Sequence, residues 1–194
     1  MGAFPELVRH FLHRPPRPQL AADIFAICLQ AEPEGLLVAD NGGLIAGYVF
    51  APRWPGRVFR RGMLRGSVGR MLLRGLAGRY GISWSESFAG VHAYLGMWHE
   101  AQVGTRPGEG RIFSLGVHPH HRRRGIGTEL VRRALRYLEA RQAVSARLEV
   151  RAENAVAARV YRRLGFRPDG ALTDSMGQWI IMRKSLVLPQ DEVP

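Results

Sequence analysis

The chain has 194 residues, 46% of them apolar, which excludes wholesale disorder and lets a core form without disulfides, since chains of this size bury roughly 70% of their unfolded surface. A single cysteine, Cys28, excludes an internal disulfide and any zinc site built on paired cysteines; no apolar run reaches membrane-span length and the opening residues lack a signal-peptide layout, so one domain over 1–194 in a reducing cytoplasm is expected. The net charge is +12, with eight Arg and no acidic residue in 51–82, and fourteen Arg against four Glu in 111–167; such patches attract phosphates, acidic polymers or anionic membranes, or serve as soluble surface.

Phe4 to Phe11 and Leu20 to Leu29 carry apolar residues at spacings of three and four, separated by the Pro-rich Arg14–Pro18, and both read as helical. Leu36–Ala39 and Leu44–Phe50 flank Asp40-Asn41-Gly42-Gly43, a hairpin with a type I′ turn around Asn-Gly. Leu64, Val68, Met71, Leu72 and Leu76 recur at helical spacing, with Arg61/Arg65 and Arg70/Arg74 four apart. Gly62, Gly66, Gly69, Gly75 and Gly78 weaken that helix by about 1 kcal/mol each. Phe88, Val91, Leu95 and Trp98 mark a further helix, and Gly104–Gly110 a loop. Residues 51–110 thus read as a largely helical basic insert.

From Arg111 the pattern is regular. Ile112–Val117 predicts one strand ended by Pro119, and His118–Gly127 a basic, Gly-containing loop. Leu130, Val131, Ala134, Leu135 and Leu138 give an amphipathic helix. Ala146–Val150 is a short strand. Asn154 opens a helix on Val156, Ala157, Val160, Tyr161 and Leu164, closed by Gly165. Phe166–Asp169 and Gly177–Lys184 read as closing strands. This order predicts an α/β fold with a mixed sheet holding at least one parallel pair.

The loop Arg122-Arg123-Arg124-Gly125-Ile126-Gly127-Thr128 leaves a strand and enters a helix. The first turn of a helix presents unpaired N–H groups and the positive end of the dipole, and glycines let backbone approach a ligand closely, so the loop reads as a pyrophosphate cradle. It is not a nucleotide P-loop, which ends in Gly-Lys-Ser/Thr, nor a dinucleotide fingerprint, which needs a third glycine. His118, His120 and His121 cluster beside it without a ligand partner at metal-binding spacing. Cys28, in an apolar helical stretch, is expected to be buried and inert.

Val117-His118-Pro119 followed by Arg122-x-x-Gly125-Ile126-Gly127 resembles the acyl-CoA-binding motif of the GNAT superfamily of N-acetyltransferases. So do Leu148-Glu149-Val150-Arg151, Asn154, Ala157, Tyr161 and Leu164-Gly165-Phe166, in a spacing closest to the ribosomal-protein N-terminal acetyltransferase branch. The resemblance covers 111–186 well, the hairpin loosely and 51–110 not at all. It implies a partly parallel, twisted sheet flanked by helices, and acetyl-CoA as co-substrate without a metal. The amides of Arg122, Arg123, Arg124, Gly125, Ile126, Gly127 and Thr128 would hold its pyrophosphate. Leu115, Gly116 and Val117 would pair with its pantetheine arm like an added strand, between strands that splay apart. Asn154 would contact the pantetheine, although its position equally suits a helix N-cap. Tyr161 would protonate the departing thiolate. Glu149 would serve as general base, because an inward carboxylate between strands is desolvated and suited to accept a proton near neutrality; Glu86 and Glu100 are the reserve candidates.

The family usually opens with a strand, and none is legible in residues 1–19. The family's connection in place of 51–110 is short, on the side where the acceptor approaches. The expectation is therefore acetyl transfer, directly in a ternary complex, to a primary amine: a peptide or protein N-terminus, or a small amine. The Arg content of the insert points to an acidic or phosphorylated acceptor, or to docking on an anionic membrane through 51–82, with a solvated basic cap as the plainer reading. No specific nucleic-acid signature is present, and a monomer or homodimer is expected. The competing class is a catalytically degenerate module binding CoA or an anionic polymer.

Overall fold

The structure, a computed structural model, describes residues 18–81, 105–174 and 177–187. The expected helices at Phe4–Phe11 and Phe88–Trp98, the reserve carboxylates Glu86 and Glu100, and the question of an opening strand lie outside the described residues, apart from the start of the first described helix.

Helix α1 (Pro18–Ala31) buries Leu20, Ile27 and Ala31. Strands β1 (Leu36–Asn41) and β2 (Leu44–Phe50) form the expected antiparallel hairpin, with an irregularity between Ala39 and Asp40. Its tight turn is centred on Gly42 and Gly43, at φ 65° and 86°, one residue later than Asn-Gly. Two consecutive positive φ angles suit glycine, and the Gly43 N–H donates to Asp40 Oδ1 at 2.8 Å.

The helical run through the insert breaks in two, α2 (Pro55–Leu64) and α3 (Ser67–Leu76), at Gly66, whose φ is 66°. Leu64, expected on the apolar face, is instead 78% exposed at that corner. Ile27, Ala31, Phe50 and Val58 make a small core with Val68, Met71 and Phe113 alongside. Three arginines of the basic face bind α1: Arg74 pairs with Asp23 at 2.5 Å, Arg65 donates to the Gln30 carbonyl at 3.3 Å, and Arg61 donates to the Ala31 carbonyl. Burial works to raise the Asp23 carboxyl, but hydrogen bonds from the Tyr80 hydroxyl and Arg74 outweigh it and hold Asp23 below the usual carboxylate range. Three of the eight arginines read as an anion-seeking surface therefore serve as helix–helix ties.

The strand expected over 112–117 is two strands, β3 (Glu109–Ile112) and β4 (Ser114–Val117), divided at Phe113. The expected loop accordingly ends before Glu109. β3 runs parallel to β5 (Ser145–Arg151), from Glu109↔Ser145 to Ile112↔Leu148. β4 joins β2 instead, antiparallel, from Gly47↔Val117 to Phe50↔Ser114. The sheets are ordered β1-β2-β4 and β3-β5-β7-β6, with β6 (Arg167–Asp174) and β7 (Gly177–Ser185) antiparallel. The Arg111 and Phe113 amides donate to the Pro52 and Phe50 carbonyls at 3.1 and 2.9 Å, so the sheets remain joined at one end and part at the other.

Helix α4 (Ile126–Ala140) and helix α5 (Ala155–Arg163) cover one face. Leu130, Val131, Ala134, Leu135 and Leu138 of α4 meet Ala146, Leu148 and Val150 of β5 in the main core, with Ala158, Tyr161, Phe166 and Met182. Fold class and helical flanks agree with the sequence reading.

Burial pushes the Tyr48 and Tyr161 phenols up to about 12, and burial beside Glu32 and Asp23 raises Tyr137 and Tyr80 further. An unfolded tyrosine ionises near 10. These phenols keep their protons in the folded state after the unfolded chain has lost them, so their stabilisation is complete below about pH 10 and lost as pH rises through 12. Melting temperatures followed by circular dichroism are expected to fall steeply from about pH 10 to 12; a flat profile across that window contradicts this burial.

Candidate active site

The site follows from the parting of β4 and β5. β5 pairs with β3 only as far as Leu148, so the corresponding edge of Glu149, Val150 and Arg151 has no strand partner among the described residues. β4 is the terminal strand of its sheet, so Leu115, Gly116 and Val117 present their second edge to the same gap. Buried backbone donors and acceptors need partners, and an extended ligand carrying amides can supply them as an added strand would.

Beyond Val117 the chain turns through Pro119–His121 and reaches α4, whose N-cap is Gly125 at φ 79°. The first amide of the helical ladder is Glu129, bonded to the Gly125 carbonyl at 3.0 Å. The amides of Ile126, Gly127 and Thr128 come before it and have no intrahelical acceptor. The helix thus begins at Ile126, two residues earlier than the Thr128 start expected for it. A Cβ on Gly125 would meet nothing within 4 Å, so glycine serves the backbone angle there rather than clearance. A Cβ on Gly127 would lie 3.4 Å from Val117 Cγ2, an ordinary contact. Arg123 also sits at positive φ, 60°. Arg122 bends back, its Nε donating to the Val117 carbonyl at 3.2 Å, which fastens the loop to the end of β4.

Glu129, an acid in the first turn, would repel an anion there. Its carboxylate accepts from Arg133 Nε at 3.0 Å and Arg136 Nη2 at 3.2 Å, and these hydrogen bonds hold it below its usual range. The helix start keeps its net positive character. This donor set fits a diphosphate: three free amides, a dipole end and exposed guanidiniums at Arg123 and Arg124.

Asn154 is the N-cap of α5, its Oδ1 accepting from the Ala157 amide at 3.1 Å, so the capping reading holds. Tyr161, on the inner face of α5, is 8% exposed and meets Phe166 edge-on, ring centroids 6.0 Å apart. Glu149 is not the lone desolvated carboxylate expected. Arg111 Nε and Nη2 reach its Oε2 at 3.0 and 2.9 Å, and Arg147 Nε reaches Oε1 at 2.6 Å. Sequence reading missed this clamp. Its signal was the alternation Arg147-x-Glu149, which puts both side chains on one face of β5.

His118, His120 and His121 sit together, with ring centroids 5.3 and 5.7 Å from His118, and burial among neighbouring cations lowers the His118 imidazole. Among the described residues no cluster of three or more His, Cys, Asp or Glu could hold a metal. Burial pushes the Cys28 thiol up to about 12, which keeps it protonated and unreactive. No described helix is long and apolar enough to cross a membrane.

A sheet opened at one end, with a bare strand edge leading to a helix start with three free amides, has the geometry that fits an extended, phosphate-tailed ligand lying edge-on. The chain belongs to the acetyltransferase (GNAT) family, whose model matches residues 4–166. Over 69 residues it is 41% identical to the mycothiol acetyltransferase of Streptomyces avermitilis, covering 36% of this chain and 22% of that protein. Over 58 residues it is 43% identical to the ribosomal protein bS18-alanine N-acetyltransferase of Salmonella typhimurium, covering 30% of this chain and 39% of that one. The matches span well under half of either relative. The structure of Ard1 from Thermoplasma volcanium is similar in fold, with a TM-score of 0.55 over 84% of this chain and 78% of that one at 17% identity.

Replacing Gly125 by Ala forces a side chain into the left-handed region, and a loss of about 1–2 kcal/mol of stability is expected. Arg123→Gly relaxes the same kind of strain and is expected to leave the melting temperature unchanged or higher. Thermal melts of the two variants, read together, check whether the cradle backbone has these angles.

Proposed function

We propose that the protein transfers an acetyl group from acetyl-CoA to a primary amine, with residues 111–186 forming the acetyl-CoA-binding and catalytic half. The observation that carries this reading is the free edge of β4 running into the unpaired amides of Ile126, Gly127 and Thr128. In this reading acetyl-CoA supplies an activated thioester. The amides of the 122–128 loop bind its phosphates, and Leu115, Gly116 and Val117 align its arm by strand-like hydrogen bonds. Asn154 caps α5 and thereby sets the position of Tyr161. Tyr161, raised by burial, stays protonated at neutral pH and donates its proton to the leaving sulfur. A carboxylate has about four lone-pair sites. Arg111 and Arg147 fill three of those on Glu149, leaving one to take the amine's proton through a water.

The acceptor we favour is a peptide or protein N-terminus. Of the two sequence relatives, one is named for a ribosomal-protein alanine and the other for mycothiol, so a small amine is the alternative within the same chemistry. The clamp on Glu149 favours the second class, a CoA-binding module without transfer.

Release of the CoA thiol, measured across N-terminal peptides and small amines, separates these readings. Tyr161→Phe is expected to lower kcat by about 10²-fold with little change in the KM for acetyl-CoA, and Glu149→Gln to lower kcat by at least about tenfold. No amine-dependent thiol release by the wild type would leave only the binding module, whereas wild-type rates in both variants would overturn the roles given to Tyr161 and Glu149 and leave the transfer itself standing.

A further inference from the structure

A cleft of about 420 Å³ lies at the end of the sheet where β3 begins, on the other side of β3 and β4 from the cradle that follows Val117. The first two turns of α2 form one wall with Arg57 and Arg60, the turn before β3 the other with Arg106, and Arg53 and Trp54 line the floor between them. The cleft lies outside the strand gap and its loop, and acetyl transfer as argued above makes no use of it.

Its floor is rigid. Buried Glu32 accepts from the Arg53 and Trp54 amides at 2.5 and 3.4 Å and from the Tyr137 hydroxyl at 2.7 Å. The Arg53 guanidinium donates to the carbonyls of Arg141, Gln142 and Glu109 at 3.0, 3.1 and 3.5 Å. No carboxylate is among those partners, so its charge is oriented but not neutralised.

The walls are cationic. Arg57 and Arg60 are exposed and make no ion pair among the described residues. The Arg57 guanidinium carbon sits over the Trp54 ring, 4.1 Å from its centroid, with that of Arg53 at 5.5 Å. Arg106 pairs with Asp169 at 2.8 Å, but that pair is 60% and 36% exposed and costs little to exchange. Among the described lining residues the one acid, Glu109, is taken by Arg183 at 2.7 Å. These arginines differ from Arg61, Arg65 and Arg74, which are tied to α1.

From this arrangement we propose that the cleft is a second anion site, built for a small molecule bearing a phosphate. Guanidiniums lining two walls and the floor suit the several oxygens of a tetrahedral oxyanion better than one planar carboxylate. The volume is that of a small-ligand pocket, not of a macromolecular interface. Trp54, 37% exposed, offers a ring edge for the organic part of the ligand.

Inorganic pyrophosphate is the probe, titrated calorimetrically into the full chain carrying Arg123→Gln and Arg124→Gln and saturated with CoA, which removes two exposed cations from the cradle loop and, on the function proposed above, fills its amides. One binding event is expected, with a change in Trp fluorescence that Trp54→Phe removes. Adding Arg57→Gln and Arg60→Gln should weaken it at least tenfold. Adding Arg159→Gln and Arg162→Gln, which removes equal charge from the exposed side of α5, should change it less than twofold. Citrate at matched ionic strength should bind at least tenfold more weakly. No binding, equal weakening by both arginine pairs, or citrate binding as well as pyrophosphate each overturns the proposal. Circular dichroism melts verify that the exposed substitutions leave the fold intact.

Discussion

The structure depends on where one strand changes partners. At Phe113 the chain stops pairing with β5 and continues beside β2 alone. Had β4 stayed with β5, every amide of 114–117 would have a partner and the sheet would be closed. Because it does not, two strand edges face each other across a gap, and a folded protein rarely leaves such edges bare. The divergence is held from both ends. β3 is fixed to β5 by four registered pairs and overlaid by α4, whose Leu130, Val131 and Leu138 belong to the main core. β4 is fixed to β2 by four more. An extended ligand with amides in its chain is the complement that satisfies both edges without moving either.

Charge is organised around the same frame. A count of arginines by sequence blends three populations that burial and distance separate. Arg61, Arg65 and Arg74 bind helices to one another, and Arg183 bridges Glu109 and Asp169 across the sheet. Arg111 and Arg147 meet at Glu149. Arg57, Arg60, Arg123 and Arg124 stand in solvent at two ends of the molecule. The last group pairs with no carboxylate among the described residues and keeps its pull on anions, whereas an ion-paired guanidinium such as Arg74 or Arg183 offers little field beyond its partner.

Much of the frame was legible in the sequence because it rests on local rules. The α4 stripe, the hairpin around its glycines and the Asn154 cap each follow from periodicity or from a local backbone rule. The motif resemblance led to the family, which the match over 4–166 bears out. What was not legible depends on contacts distant in the chain. Nothing within Ile112–Val117 tells that its two halves pair with different strands, because both halves are equally apolar and extended. The Arg111–Glu149 contact joins residues 38 apart. The split of the insert at Gly66 was foreshadowed by its glycines, but Leu64 was placed in the core because spacing cannot tell a buried leucine from one at a helix corner.

Alternation along β5 bears on the chemistry. Ala146, Leu148 and Val150 point into the core under α4 and α5, the side that holds Tyr161. Arg147, Glu149 and Arg151 therefore point to the opposite face. The proton donor and the proton acceptor proposed here lie on different sides of the strand that borders the gap, so neither can neutralise the other before a substrate arrives. Tyr161 sits where dry packing keeps its proton in place. Glu149 sits where two guanidiniums, one of them on β3, fix its carboxylate at the point where β3 and β5 part. An amine reaching a thioester in the gap must then approach from the Glu149 face, which makes the residues covering that face, rather than the helices over the core, the ones that choose the acceptor.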